Sequence, residues 1–333
     1  MLKRFFLLSV VLNCLVCLVW SQSLFTKDPY PIHVIFDTDF GPDYDDVGAI
    51  TVLHCFADSG YVRILATMAS SKHKNVAAAI DVFNTYFARP EIPIGVVRSL
   101  GVELGDKQHW TDSVINHYPH SIKSNADVQD ALQLYRKILS LQPDNSVTII
   151  TVGFLTNLAN LLASQPDSIS PLNGSQLVKN KVRMLVSMAG RFPSGSEFNL
   201  AQDARSSNKV LSDWPSPILF TGFEIGWKIR TGLPLIHNKE IRSSPVKDVF
   251  SICIPMEKQD SAGRMSWDET AVFVAVKGWQ DYYSLDTGQC IINDKGLNHW
   301  EYRGNRHAHL VEKLSPQKMA DILNDLIQHS PAK

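Results

Sequence analysis

Apolar residues fall in short blocks along most of the chain, separated by polar or glycine-containing breaks. Ile32 to Phe36, Val62 to Met68, Ile94 to Val97, Ser146 to Thr151, Val182 to Met188 and Pro217 to Thr221 are brief runs rich in β-branched types. They predict buried strands. Between them, Asn75 to Phe87, Asp127 to Leu141, Thr156 to Leu162, Ala204 to Leu211, Thr270 to Lys277 and Ser315 to His329 carry helical patterns. Strand alternating with helix predicts a single α/β domain on a mainly parallel, doubly wound (Rossmann-like) sheet with helices on both faces. No repeat, low-complexity tract or linker divides the chain. The span from Gly101 to Lys123 has few aliphatics and reads as a long loop, a candidate lid.

The pattern breaks most sharply after the first strand. Asp37-Thr38-Asp39-Phe40-Gly41-Pro42-Asp43-Tyr44-Asp45-Asp46 holds five aspartates in ten residues. Charges this close repel unless a cation or several donors stabilise them. Gly41-Pro42 ends the strand, and Ala49, Ile50, Val52 and Leu53 give the next helix its apolar face. The carboxylates therefore fall at the carboxyl end of a strand, beside a helix start, where open α/β sheets place ligands. Oxygen ligands of this kind suit a hard divalent cation such as calcium or magnesium. The solvated acidic loop is the bland alternative, and it explains the density poorly.

Composition changes the picture little. The chain has 333 residues, 44% of them hydrophobic, and a formal net charge of −1. That balance gives no electrostatic case for nucleic acid or an anionic membrane as partner. The N-terminus is distinct: Lys3 and Arg4 precede an apolar run from Phe5 to Trp20, followed by Ser21-Gln22-Ser23. This order predicts a secretory signal peptide over residues 1–21, a mature domain over 22–333, secretion, and no stable membrane insertion. The run is short for a span of roughly 20 residues. The mature chain keeps Cys55, Cys253 and Cys290, which leaves one disulfide plus one thiol open, with Cys55 reading as a small apolar residue. Asn173-Gly174-Ser175 fits a glycosylation acceptor.

Three further segments are more polar than strand ends and helix starts require: Thr151 to Ala159, Ser196 to Asp203 and Ser266 to Ala271. Singly, Thr156, Asn157, Asp203 and Asp268 read as helix caps. Together they fall on the same edge of the sheet as the acidic stretch. An EF-hand is excluded, because no register gives Gly at loop position six with Glu at twelve. A phosphatase using Asp37 as nucleophile leaves the other segments unexplained.

Asp37-Thr38-Asp39-x-Gly41 with Asp45-Asp46 resembles the N-terminal signature of the nucleoside hydrolases, the inosine-uridine-preferring superfamily. The resemblance continues in order through Leu155-Thr156-Asn157-Leu158-Ala159, Glu197-Phe198-Asn199 and Trp267-Asp268-x-Thr270-Ala271-Val272. It implies a calcium-dependent enzyme that cleaves the N-glycosidic bond of ribonucleosides. By that resemblance Asp39 holds the metal-bound water and is the general base, and Asp39, Asp46, Thr156 (through its carbonyl) and Asp268 ligate Ca2+. Asp45, Glu197, Asn199 and Asp268 bind the ribose. The transition state is a ribosyl oxocarbenium, which surrounding carboxylates stabilise, and a diol-gripping cation favours ribose over deoxyribose. The implied partner is a small ribonucleoside, and a homo-oligomer stays open.

The match departs in places. Pro42-Asp43 is extra relative to many members, and Asp43 reads as the cap of the following helix, with metal neighbour as the alternative. Trp267 stands where other members carry a histidine, so core packing and base stacking both remain open. Met188-Ala189-Gly190 resembles a glycine-rich turn, but Arg191 follows where an asparagine is common. His109, His117 and His120 fall in the expected lid, and surface positions suit them better than leaving-group protonation. A relative that binds nucleoside and calcium without turnover is the competing reading.

Overall fold

The computed structural model describes Phe25, residues 29–98 and residues 100–331. The signal peptide read at 1–21 lies outside the described residues. Strands β1 (Ile32–Thr38), β2 (Val62–Ala69), β3 (Ile94–Val96), β4 (Gln129–Asp130), β5 (Val147–Thr151), β6 (Val182–Ser187), β7 (Ser194–Ser196) and β8 (Ile218–Phe220) appear in chain order. A small ribbon, β9 (Arg230–Thr231) with β10 (Arg264–Met265), precedes β11 (Tyr283–Ile292), β12 (Leu297–Glu301) and β13 (His307–Glu312). The main sheet runs β4-β3-β2-β1-β5-β6-β8-β13-β11-β12-β7. Its pairs are parallel from β4 to β13 and antiparallel from β13 through β11 and β12 to β7.

β1 lies among the inner strands because nearly all of it is buried, with Ile32, Val34, Ile35 and Phe36 apolar. Side chains alternate faces along a strand. Val34 and Phe36 accordingly enter one hydrophobic cluster, and Ile35 enters a second with Ala66, Ile149 and Leu158. Two cores on opposite faces of one sheet are what a doubly wound chain requires, and the expected α/β architecture holds.

The helices are α1 (Asp45–Asp58), α2 (Val76–Tyr86), α3 (Trp110–His117), α4 (Ala131–Ser140), α5 (Thr156–Ala163), α6 (Gly174–Lys181) and α7 (Phe198–Gln202). After them come α8 (Ala204–Asp213), α9 (Phe223–Gly226), α10 (Leu233–His237), α11 (Pro245–Cys253), α12 (Trp267–Lys277) and α13 (Pro316–Ile327).

Differences from the sequence reading have local causes. The expected lid contains α3, anchored by fully buried Trp110 edge-on to Phe40, so one aromatic does the work of missing aliphatics. α4 begins later than expected because Asp130 caps it at Leu132 N and β4 extends the edge of β3. The glycosylation triplet opens α6, where Asn173 and Gln176 form a reciprocal cap. The antiparallel strands β11 to β13 were not expected from the sequence pattern; β11 and β12 mix buried and partly exposed positions instead of forming apolar runs. Cys55, Cys253 and Cys290 are all free thiols, so the open disulfide is absent among them. No helix among the described residues is long and apolar enough to cross a membrane.

Candidate active site

The carboxyl ends of β1, β5 and β6 and the starts of α1, α7 and α12 surround one cleft of about 270 Å³. One wall is acidic: Asp39, Asp43, Asp45, Asp46, Glu197 and Asp268. α1 and α12 pack against each other, and Gly48 makes the approach close enough to matter. A Cβ there would stand 2.1 Å from Oε1 of Glu269. This contact sets Asp45 and Asp46 beside Asp268, and one carboxylate oxygen of each lies within 4.8 Å of the others.

Asp39 faces the same group, since its charge raises Asp268 and that of Asp46 raises Asp39. The loop after β5 abuts it, because a Cβ on Gly153 would meet the Asp39 main-chain nitrogen at 2.6 Å. Asp37, by contrast, points away and is held by the Tyr135 hydroxyl (2.8 Å) and Asn157 Nδ2 (3.2 Å). It anchors the end of β1.

Burial pushes every carboxyl of the cluster upward. Asp46 is raised to about 6, eased by the Thr38 hydroxyl that donates to its Oδ1. Asp39, Asp45 and Asp268 lie well above the usual range, first through burial and then through one another's charge: Asp46 on Asp39 and on Asp268, Asp268 on Asp45. Oδ2 of Asp46 is buried with no hydrogen-bond partner. Such a set of oxygens fits a hard divalent cation, which would supply the missing partner and reverse the mutual repulsion.

Thr156 stands apart. Its hydroxyl donates to Asp203 at 2.5 Å, it lines a different hollow, and as the first residue of α5 its carbonyl points along the helix axis. Thr156, expected to give its carbonyl to the cation, is thus not among the residues lining the cleft, whereas Val152, earlier in the same segment, is. The expected cap role of Asp43 also fails. Tyr44 holds the N-cap position of α1 with no side-chain cap, and Asp43 pairs with Arg264.

Glu197 and Asn199 both reach the cleft, with structural duties. The Glu197 carboxylate accepts from Asn199 N, Leu200 N and Gly190 N, capping α7. The opposite wall is aromatic: Phe198, Phe223, Trp227 and Trp267. Trp267 is pinned by Nε1 donating to the Phe223 carbonyl at 2.8 Å, its ring 5.3 Å from that of Phe223. It lines the cleft and also packs against the hydrophobic core. Among the described residues no histidine lines the cleft, and His109, His117 and His120 lie in or around α3.

The sequence reading missed Val152, Phe223, Trp227, Gln259 and Arg264. Arg264 had one available signal: a lone arginine three residues ahead of Trp267-Asp268, in an otherwise uncharged Gly263-Arg264-Met265-Ser266.

A family model, inosine-uridine preferring nucleoside hydrolase, matches residues 34–321. The chain belongs to that family, a family of enzymes that hydrolyse N-glycosidic bonds of nucleosides. Its fold is similar to the plant nucleoside hydrolase PpNRh1 (20% identity, TM-score 0.71, 90% of this chain and 99% of that one). It is also similar to the inosine-uridine preferring nucleoside hydrolase of Bacillus anthracis (15%, 0.67, 89% and 99%). A third likeness is to the purine-preferring ribonucleoside hydrolase of Gardnerella vaginalis (13%, 0.68, 89% and 98%). No curated protein matches by sequence.

Proposed function

We propose that the protein cleaves the N-glycosidic bond of ribonucleosides to free base and ribose, with Asp39 as general base and calcium as the cation. The observation that carries this reading is the convergence of Asp39, Asp45, Asp46 and Asp268 in one buried cluster, with an orphaned oxygen on Asp46, facing an aromatic wall. Asp45, Asp46 and Asp268 would hold the ion, with Asp39 and the Val152 carbonyl completing a shell of oxygens. Bound calcium lowers the pKa of water and orients a sugar diol.

The chain's own residues do the rest. Asp39 accepts the proton of the attacking water. The acidic wall stabilises the ribosyl cation as the bond to the base lengthens. Asn199 commits its Nδ2 to main-chain carbonyls and so offers its Oδ1 to a sugar hydroxyl. Trp227 and Trp267 cover the base, a contact of about 1–3 kcal/mol per stacked base. The leader read at residues 1–21 makes secretion part of this proposal.

A second reading, binding without turnover, draws on the lack of a histidine at the cleft to protonate the leaving base. Free ribose from a panel of purine and pyrimidine ribosides, assayed with calcium and with chelator, separates the two. Chelator-sensitive release supports hydrolysis. Calcium-linked nucleoside binding without release supports the second reading.

A further inference from the structure

Arg264 sits inside the cleft, 95% buried by side chain, on β10. Its guanidinium lies 4.8 Å from the centre of the Tyr44 ring and 5.3 Å from that of Trp267. Nε and Nη2 both donate to Oδ1 of Asp45, at 3.3 and 2.8 Å, and Nη2 also pairs with Asp43. Nη1 is 3.7 Å from Asp260, whose carboxylate accepts the Tyr44 hydroxyl at 2.5 Å. The short loop from Gly41 to Tyr44 thus supplies two of its partners, Asp43 and Tyr44, to fix one arginine.

That arginine holds a carboxylate that the cation and sugar need. Both bonds fall on Oδ1, so Arg264 leaves Oδ2 of Asp45 unengaged, and Asp45 stands in one group with Asp46 and Asp268. Two donors of one planar guanidinium converging on Oδ1 hold that oxygen in place more tightly than a point charge would.

We propose that Arg264 is the positioning residue of the site: it orients Asp45 through one oxygen so that the other serves the divalent cation and the ribose. The inference rests on the proposed calcium site. Burial lowers the guanidinium to about 10, so it remains a cation at neutral pH. Asp43, more than a third exposed, steadies Arg264 from outside the group formed by Asp45, Asp46 and Asp268. Its contribution is accordingly the smaller.

The test is calorimetric titration of calcium into chelator-stripped full-length protein, alongside kcat and KM on a hydrolysed riboside. Partners that orient a metal ligand typically cost 10–100-fold in affinity when removed. Arg264→Gln is expected to weaken calcium binding about 10–100-fold and to raise KM. Arg264→Lys restores the charge without the fork, and is expected to recover only part of the loss. Asp43→Asn is expected to weaken binding by less than about threefold, as suits an exposed pair. Should Arg264→Gln fail to fold, as judged by circular dichroism, Arg264→Lys decides.

Wild-type calcium affinity and KM in a folded Arg264→Gln, or in Arg264→Lys where only that folds, would overturn the inference. An unmodified protein that binds no calcium would instead overturn the proposed function itself.

Discussion

Asn199 donates through one nitrogen, Nδ2, to the carbonyls of Val152 (3.0 Å) and Met188 (3.1 Å). Val152 follows β5 and Met188 follows β6, so a single amide ties the ends of two neighbouring strands at the floor of the cleft. Replacing it by alanine strands two buried carbonyls. Asn199→Ala is expected to lower stability by ~1–3 kcal/mol, the usual cost of a buried unpaired group. Denaturant melts check this, and an unchanged midpoint would show that the tie carries no load.

Asp39→Asn keeps the shape and removes the base. General-base contributions run to roughly 10²–10⁴-fold, so kcat is expected to fall by that order while circular dichroism and thermal midpoint stay near wild type. Turnover within threefold of wild type would remove Asp39 from the chemistry.

The aromatic wall is open to a direct test. Trp227 is 42% exposed, so its loss costs the fold little. Trp227→Ala is expected to raise KM by about 5–100-fold, the equivalent of one lost stacking contact of ~1–3 kcal/mol, with a thermal midpoint within two degrees. A KM unaffected by the change would place the base elsewhere.

Cation-free stability has a predictable slope with pH. Carboxyls with raised pKa bind more protons folded than unfolded, so their stabilisation is complete below the unfolded value near 4 and is lost as pH climbs through the folded value. Asp46 lies at about 6 and Asp37 at about 7, while Asp39, Asp45 and Asp268 are raised well above the ordinary value. His54 and His307 are buried neutral, lowered to about 3 and about 4, and work in the opposite sense only up to the unfolded histidine value near 6.5. From pH 7 to 9 the carboxyls lead, Glu269 at about 8 among them, and the buried thiols of Cys253 and Cys290, pushed up by burial, act in the same sense toward pH 9. In chelator the melting temperature is expected to fall across that window, and calcium is expected to restore it most at the alkaline end. A chelated midpoint that rises from pH 7 to 9 would contradict the cluster as described.

What the chain disclosed in advance follows from how each feature is encoded. Most of the parallel strands were legible because burial on both faces makes them short runs of β-branched residues, as in Val147–Thr151. β11 to β13 were not, because strands with one open face read as mixed polarity. Asp39, Asp46 and Asp268 could be found from their motifs. Thr156 lines a different hollow because the motif names a neighbourhood, and the motif alone does not say that Val152 of the same segment is the residue at the cleft. Arg264 escaped because its partners Asp43, Asp45 and Asp260 lie 221, 219 and 4 residues away, and a single arginine has no periodicity.

The most direct measurement is a crystal structure grown with calcium and ribose. The account predicts one calcium ion with oxygens of Asp45, Asp46 and Asp268 at about 2.3–2.6 Å and two adjacent ribose hydroxyls added to its shell, with Asp39 beside the anomeric face. A cleft that stays free of the ion at saturating calcium, or an ion bound away from these aspartates, would contradict it.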